Sequence, residues 1–276
     1  MANNPLQQYF RQPKIFISLP SQGVYNKPGS ITGDVNRIPV FGMTGMDEIL
    51  MKTPDALLSG ESTVTVINSC CPAIVDPWDL SSLDIDIVLA AIRIATYGGI
   101  INITNTCTNC KTPSDYELEV SKLIDHYSTC SYDNKLVLND LTIIVRPLCY
   151  QQTTDFSVRN FQLQQQMAQV YTMKDDEPEK KVEMTRIYQE LASLRNDVFA
   201  AGIESIDTGK TTVTERAYIT EWLDNVDSAV MKAITKHIES NQERWATPAH
   251  KVKCDNCSHE DSLTIDLDQS NFFVNA

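Results

Sequence analysis

With 276 residues, a formal net charge of −13 and 42% hydrophobic residues, the chain is long enough for one elaborate domain or two smaller ones and lies outside the disordered regime. Such a charge repels phosphate backbones at long range and argues against nucleic acid as a general partner. No apolar run reaches the roughly 18 to 20 residues of a membrane helix, because the longest candidate, Leu83 to Tyr97, carries Asp84, Asp86 and Arg93.

The N-terminus, Met1-Ala-Asn-Asn-Pro5, lacks a basic region followed by an apolar core, so the chain is expected to be made and folded in a cytoplasm. From Pro13 to Pro39 short strands alternate with clear turns. The Leu19-Pro-Ser-Gln-Gly-Val-Tyr25 segment reads as a proline-initiated turn with Gly23 at positive φ. Thr44 to Met51 starts like a capped helix, with Asp47 and Glu48 in its first turn. Ser62 to Ser69 reads as a β-rich run, and Trp78 to Tyr97 as a buried helix capped by Ser81 or Ser82 and stopped by Gly98-Gly99.

Strand Leu141 to Pro147 is expected to belong with the sheet of the first part of the chain, and Cys149 at its end to be a small buried hydrophobe. From Thr154 the apolar period becomes helical, with Phe156, Asn160, Leu163, Met167 and Val170 on one stripe. The charged run Lys174 to Lys181 breaks the pattern at Pro178, and a second helix carries Met184, Ile187, Tyr188, Leu191, Leu194 and Val198 on one face to near Gly202. A third helix is expected from the capping box Thr212-Val-Thr-Glu215, and a fourth from about Ser228 to Gln242. Three or four such helices make a bundle.

Two cysteine pairs stand out: Cys107-Thr108-Asn109-Cys110 and Cys254-Asp255-Asn256-Cys257. Two residues between cysteines let a tight turn aim both thiolates at one ion at about 2.3 Å, and two such knuckles fill four tetrahedral positions. Each knuckle lies between strand-like segments, as in a zinc ribbon, and each has Asn before its second Cys. Cys107, Cys110, Cys254 and Cys257 are therefore the expected ligands of one structural zinc; four unligated thiols or two disulfides are the alternatives. Holding one ion from both ends requires closing a loop over residues 111 to 253, at roughly 4 kcal/mol. Structural zinc is worth on the order of 10 kcal/mol. The expected fold is thus α+β: a mixed core with a zinc-ribbon-like site over 1–153, a helical insertion over 154–245, and a C-terminal knuckle hairpin over 246–276.

Catalytic patterns are missing from the sequence. Gly209-Lys210-Thr211 lacks the glycine a phosphate loop needs at 204, which is Glu. His126, His237, His250 and His259 form no helical metal dyad, although His250 and His259 flank the second knuckle and could replace or support a thiolate. Adjacent Cys70 and Cys71 read as core residues.

Taken together, Leu19-Pro-Ser-Gln-Gly-Val-Tyr25, Met43-Thr-Gly-Met-Asp-Glu48, Arg93-Ile-Ala-Thr-Tyr-Gly-Gly99 and the Cys107-x-x-Cys110 knuckle resemble the baseplate proteins of T-even-like contractile-tailed phages. Those proteins are hub subunits or hub assembly factors. The resemblance covers roughly residues 15 to 120 and more loosely the C-terminal knuckle, and it implies a structural or assembly role with no catalytic residues. It also implies phage tail and baseplate hub proteins as partners, with no nucleic acid, membrane or small-molecule substrate. The rival is a zinc-ribbon adaptor in transcription or another nucleic-acid process, but Asp255, Glu260, Asp261, Asp266 and Asp268 crowd the second knuckle against Lys251 and Lys253. An enzyme with a structural zinc is a third, weaker option.

Overall fold

The computed structural model describes residues 5–52, 59–173, 178–265 and 273, and its chain divides into two compact units. The first comprises residues 1–130 and 245–276, the second residues 131–244. The inserted unit thus starts at Ser131, where the sequence places its start at Thr154, and residues 131–153 belong with it.

In the first unit, α1 (Gly45–Leu50), α2 (Glu61–Cys70), α3 (Ser82–Tyr97) and α4 (Ser121–Thr129) surround a core centred on α3. Thr44 and Asp47 form the expected capping box on α1. Ser81 caps α3, and its interior is apolar nearly all round, with Ile85, Ile87, Val88, Leu89, Ile92 and Ala95 all buried. A small antiparallel pair, β1 (Ile15–Ile17) and β2 (Ile38–Val40), packs against it. The run Ser62 to Ser69, expected as β, is helix α2. Its Val64, Thr65, Val66 and Ile67 favour strands intrinsically, but burial of Ser62, Thr63, Val64, Val66, Ile67 and Cys70 on several sides of the helix outweighs that weak preference.

Buried carboxylates pin the N-terminal turns. Asp84, fully buried on α3, accepts from the Ser21 backbone N–H at 2.9 Å and from its hydroxyl at 2.5 Å. Asp79 accepts from the Lys27 backbone N–H at 2.6 Å and the Ser30 hydroxyl at 2.7 Å. Gly23 has φ +71°, and a Cβ there would stand 3.2 Å from Val35 Cγ1, which accounts for glycine in the turn. Arg11 ties this region to α2 by donating to Gly42 O at 2.6 Å, Ser69 O at 2.6 Å and Ser69 Oγ at 2.8 Å.

Two further hairpins complete the unit: β3 (Ile100–Thr106) with β4 (Pro113–Glu119), and β9 (Ala249–Lys253) with β10 (Glu260–Thr264). Each is a separate two-stranded sheet.

The second unit mixes strands and helices. β5 (Lys135–Leu138), β6 (Leu141–Val145), β7 (Ile203–Asp207) and β8 (Thr212–Val213) form a four-stranded sheet in sequence order. Strand Leu141–Val145 therefore belongs to this sheet and not to the first unit's sheets. Helices α7 (Arg216–Asn225) and α8 (Ser228–Arg244) supply Ile219, Leu223 and Ile234 to a core with Ile143, Val145, Phe199, Ile203 and Ile206. α5 (Tyr150–Tyr171) and α6 (Pro178–Gly202) form a helical hairpin whose seam is Leu163, Met167, Val170, Ile187 and Leu194 of the expected stripes, whereas Asn160 and Tyr188 are exposed. Pro178 stands at the first position of α6, where its missing N–H costs nothing. The charged stretch before it, 174–177, lies outside the described residues.

The helix expected from Thr212 starts instead at Arg216, because Thr212 pairs with Asp207 and Val213 with Ile206 in the sheet. Gly209, at φ +74°, and Thr208, whose backbone N–H donates to Thr211 O at 3.0 Å, build the connecting turn, so Gly209-Lys210-Thr211 is a hairpin bend. Cys149 is half-buried at the N-cap of α5, where its N–H donates to Gln152 at 3.1 Å; it is a capping residue and not a core one.

Both cores of the second unit are built from its own residues. A fragment spanning 131–244 is accordingly expected to fold by itself. Its helical circular dichroism should match the share of the full chain and be indifferent to metal chelators; a fragment without a cooperative melting transition would contradict this.

Candidate metal centre

The two hairpins of the first unit end in the same six-residue bend. In one, Thr106 pairs with Pro113 and the bend runs from Cys107 to Thr112; in the other, Lys253 pairs with Glu260 and it runs from Cys254 to His259. Cys107 N donates to Thr112 O at 3.0 Å and Cys254 N to His259 O at 2.9 Å. Lys111 N donates back to Cys107 O at 3.0 Å, and Ser258 N to Cys254 O at 2.8 Å. The residue after each second cysteine is left-handed, Lys111 at φ +60° and Ser258 at φ +58°. Neither is glycine, so each bend holds a conformation that costs an L-residue of order 1 kcal/mol. The shared strain has a shared result: both thiols of each knuckle point to one place.

All four Sγ atoms lie within 4.8 Å of one another. Across the knuckles, Cys107 to Cys257 is 3.7 Å and Cys110 to Cys254 is 3.6 Å. A tetrahedron of sulfurs about 2.3 Å from a central ion has edges of about 3.8 Å. These separations fit that figure, and they are far from the roughly 2.05 Å of a disulfide. Four close thiols of this kind can hold a metal ion, and among the described residues they are the one such group of Cys, His, Asp and Glu.

The surroundings suit anionic sulfur. Hydrogen bonds with the Thr112 side chain and backbone, then with the Asn256 side chain, draw the Cys110 thiol down to about 5. Burial and its bonds to Cys110 and Cys257 push the Cys107 thiol up, so one sulfur of the cluster is favoured as the anion over its neighbour. Asn109 Nδ2 reaches across to Cys257 Sγ at 3.7 Å, while Asn256 Nδ2 donates to Thr112 Oγ1 at 3.2 Å. The asparagine before each second cysteine thus serves the opposite knuckle. Cys107 and Cys254 are buried, and Cys110 and Cys257 are partly exposed.

Asp261, on β10, is buried and accepts from the Thr108 hydroxyl at 2.5 Å and the Thr108 backbone N–H at 3.2 Å. These Thr108 bonds hold its carboxyl below the usual carboxylate range. Asp261 therefore ties the second hairpin to the first knuckle, and no spacing rule separates it in sequence from Asp255 or Glu260. Asp266 and Asp268 lie outside the described residues. His259 stands 3.6 Å from Asp261 and His250 faces a cleft between the hairpins, so neither histidine joins the four-sulfur group.

The other cysteines do not join the four-sulfur group. Burial pushes the Cys70 thiol up to about 11 and raises that of Cys71 as well, which suits core residues at the end of α2.

A family model described as T4 bacteriophage base plate protein matches residues 44–274. The chain belongs to this family. The match to the base plate family takes in the α1 start, the α3 end, both knuckles and the inserted unit, whereas the Leu19 to Tyr25 turn precedes it. No curated protein and no solved structure matches the chain. Membership makes this a phage baseplate protein with tail or baseplate proteins as its partners. No described helix is long and apolar enough to cross a membrane.

Proposed function

We propose that this baseplate protein works in the hub region of a contractile tail, as a subunit or as a factor that assembles the hub, through protein contacts and without catalysis. Its four thiolates hold one structural zinc. The observation that carries the role is the family match over 44–274; the zinc reading is supported by the sulfur separations and the all-thiolate donor set. With four protein ligands no position remains for a water or substrate, so the ion supplies rigidity. Cys107 and Cys110 on one hairpin and Cys254 and Cys257 on the other bracket the inserted unit in sequence, and the ion fixes where the chain leaves and rejoins the first unit. Assembly would take place in the host cytoplasm.

Mass spectrometry of purified phage particles beside assembly intermediates tests the role. Presence in both marks a hub subunit, and presence only in intermediates marks an assembly factor. A phage lacking this gene that still builds normal contractile tails would refute either form.

A further inference from the structure

The geometry points to a docking slot for an extended segment of a partner baseplate or tail protein, between β4 and β9 of the first unit. The inference rests on the baseplate reading and adds where and how the contact is made.

A cleft of about 520 Å³ is lined by Tyr116 to Glu119 of β4 and Ala249 to Val252 of β9, with Lys122 at one end. Side chains alternate between the faces of a strand, so a cavity touching successive residues runs along the strand's edge and not over one face. Hydrogen-bond phase supports this. Val120 N donates to Gly99 O and Cys107 N to Thr112 O, which makes 101 with 118 and 103 with 116 the pairs that exchange bonds in the β3–β4 ladder. Glu117 and Glu119 consequently turn their backbone N–H and C=O away from β3. In the other hairpin the Cys254 N to His259 O bond puts 252 with 261 and 250 with 263 in the bonded pairs, and Ala249 and Lys251 turn outward. Among the described residues, no backbone hydrogen bond joins β4 to β9.

Two rows of outward main-chain groups flanking one slot specify the occupant. An extended strand bonds to such rows, whereas a helix satisfies its own backbone. Four residues of strand occupy roughly 13 by 4.8 by 10 Å, or about 600 Å³, which is comparable to the cleft. Leu118 and Val252 are buried on its inner side, and Glu117, Glu119, Ala249 and Lys251 are exposed on its outer side. The matching segment therefore alternates apolar and polar residues, apolar inward. His250 lines the slot, and its Nε2 is buried without a hydrogen-bond partner. A hydroxyl or amide side chain on the segment would complete it.

The test uses peptides tiled across the other baseplate and tail proteins of the same phage as probes. Binding is measured to the wild-type chain, Lys251→Ala and Lys251→Pro. Proline at 251 removes an outward N–H while leaving the bonded pairs of β9 with β10 in place. At least one tile should bind wild type and Lys251→Ala alike and Lys251→Pro about tenfold more weakly, and it should slow deuterium exchange at Glu117, Glu119, Ala249 and Lys251. Should Lys251→Pro fail to fold, the exchange pattern on the wild-type chain decides alone. Binding without protection at those amides overturns the proposal, as does equal binding by a folded Lys251→Pro. Protection already present in the free chain, or appearing with its own concentration, would assign the slot to this chain or a second copy and likewise overturn it. If intact hub proteins bind but no tile does, strand docking fails while the baseplate reading stands; if neither binds, both fail.

Discussion

Replacing Cys254 with serine is expected to lower the melting temperature of the first unit by 10 °C or more, on the rough scale of 2–4 °C per kcal/mol for a chain of this size, and to abolish stoichiometric zinc. Cys254 is buried and its sulfur stands 3.6 Å from that of Cys110 across the two knuckles. Structural zinc is worth on the order of 10 kcal/mol in small peptides, so losing one of four thiolates should cost several kcal/mol. Elemental analysis of the wild-type protein should give about one zinc per chain. Chelation should reproduce the effect of the substitution, and the two should not add. A wild-type protein purified without metal and melting identically with and without chelator would refute the zinc assignment.

The second large effect belongs to Asp84. Alanine there removes the acceptor for the Ser21 backbone N–H and hydroxyl inside the core and should destabilise the first unit by about 3 kcal/mol in urea titrations. Asparagine should cost less, and it isolates the titration. Burial raises the Asp84 carboxyl to about 6 from 3.8, against the Ser21 hydrogen bonds that lower it. A raised carboxylate means that the native state binds its proton first, so this contribution to stability grows as pH falls through about 6 and is lost as pH rises. Relative to Asp84→Asn, the wild type should gain roughly 1 kcal/mol between about pH 7 and about pH 5. Comparison at each pH is needed because protons also displace zinc from thiolates, with the opposite sign. Asp86, raised to about 6 chiefly by burial, remains in both proteins and cancels. A difference that does not change over this range would remove the assignment of a raised pKa to Asp84.

Where the chain could be read in advance, the signal was local. The Cys-x-x-Cys spacing dictates a bend, the Thr44 box and the Ser81 cap satisfy orphan N–H groups within one turn, and the Leu163, Met167 and Val170 stripe follows the helical period. What stayed hidden depended on partners far away in sequence. Ile203–Asp207 follows directly on a long helix and becomes a strand because Leu141–Val145 lies beside it. Thr212 looks like a cap until Asp207 claims it for the sheet. Asp261 acquires its role only when Thr108 is brought against it.

The two halves of the four-sulfur cluster are separated by residues 111–253, and that separation has a consequence in time. A ribosome adding about 5–20 residues per second leaves Cys107 and Cys110 as half of the cluster for about 7–30 s before Cys254 is made. By then the entire inserted unit, residues 131–244, has been synthesised. Capture of an ion by all four sulfurs would thus come late in biosynthesis, because a nascent or truncated chain that stops short of the second knuckle carries only two of them. An ion bound by the four sulfurs would be a molecular proof that translation ran through the whole insertion.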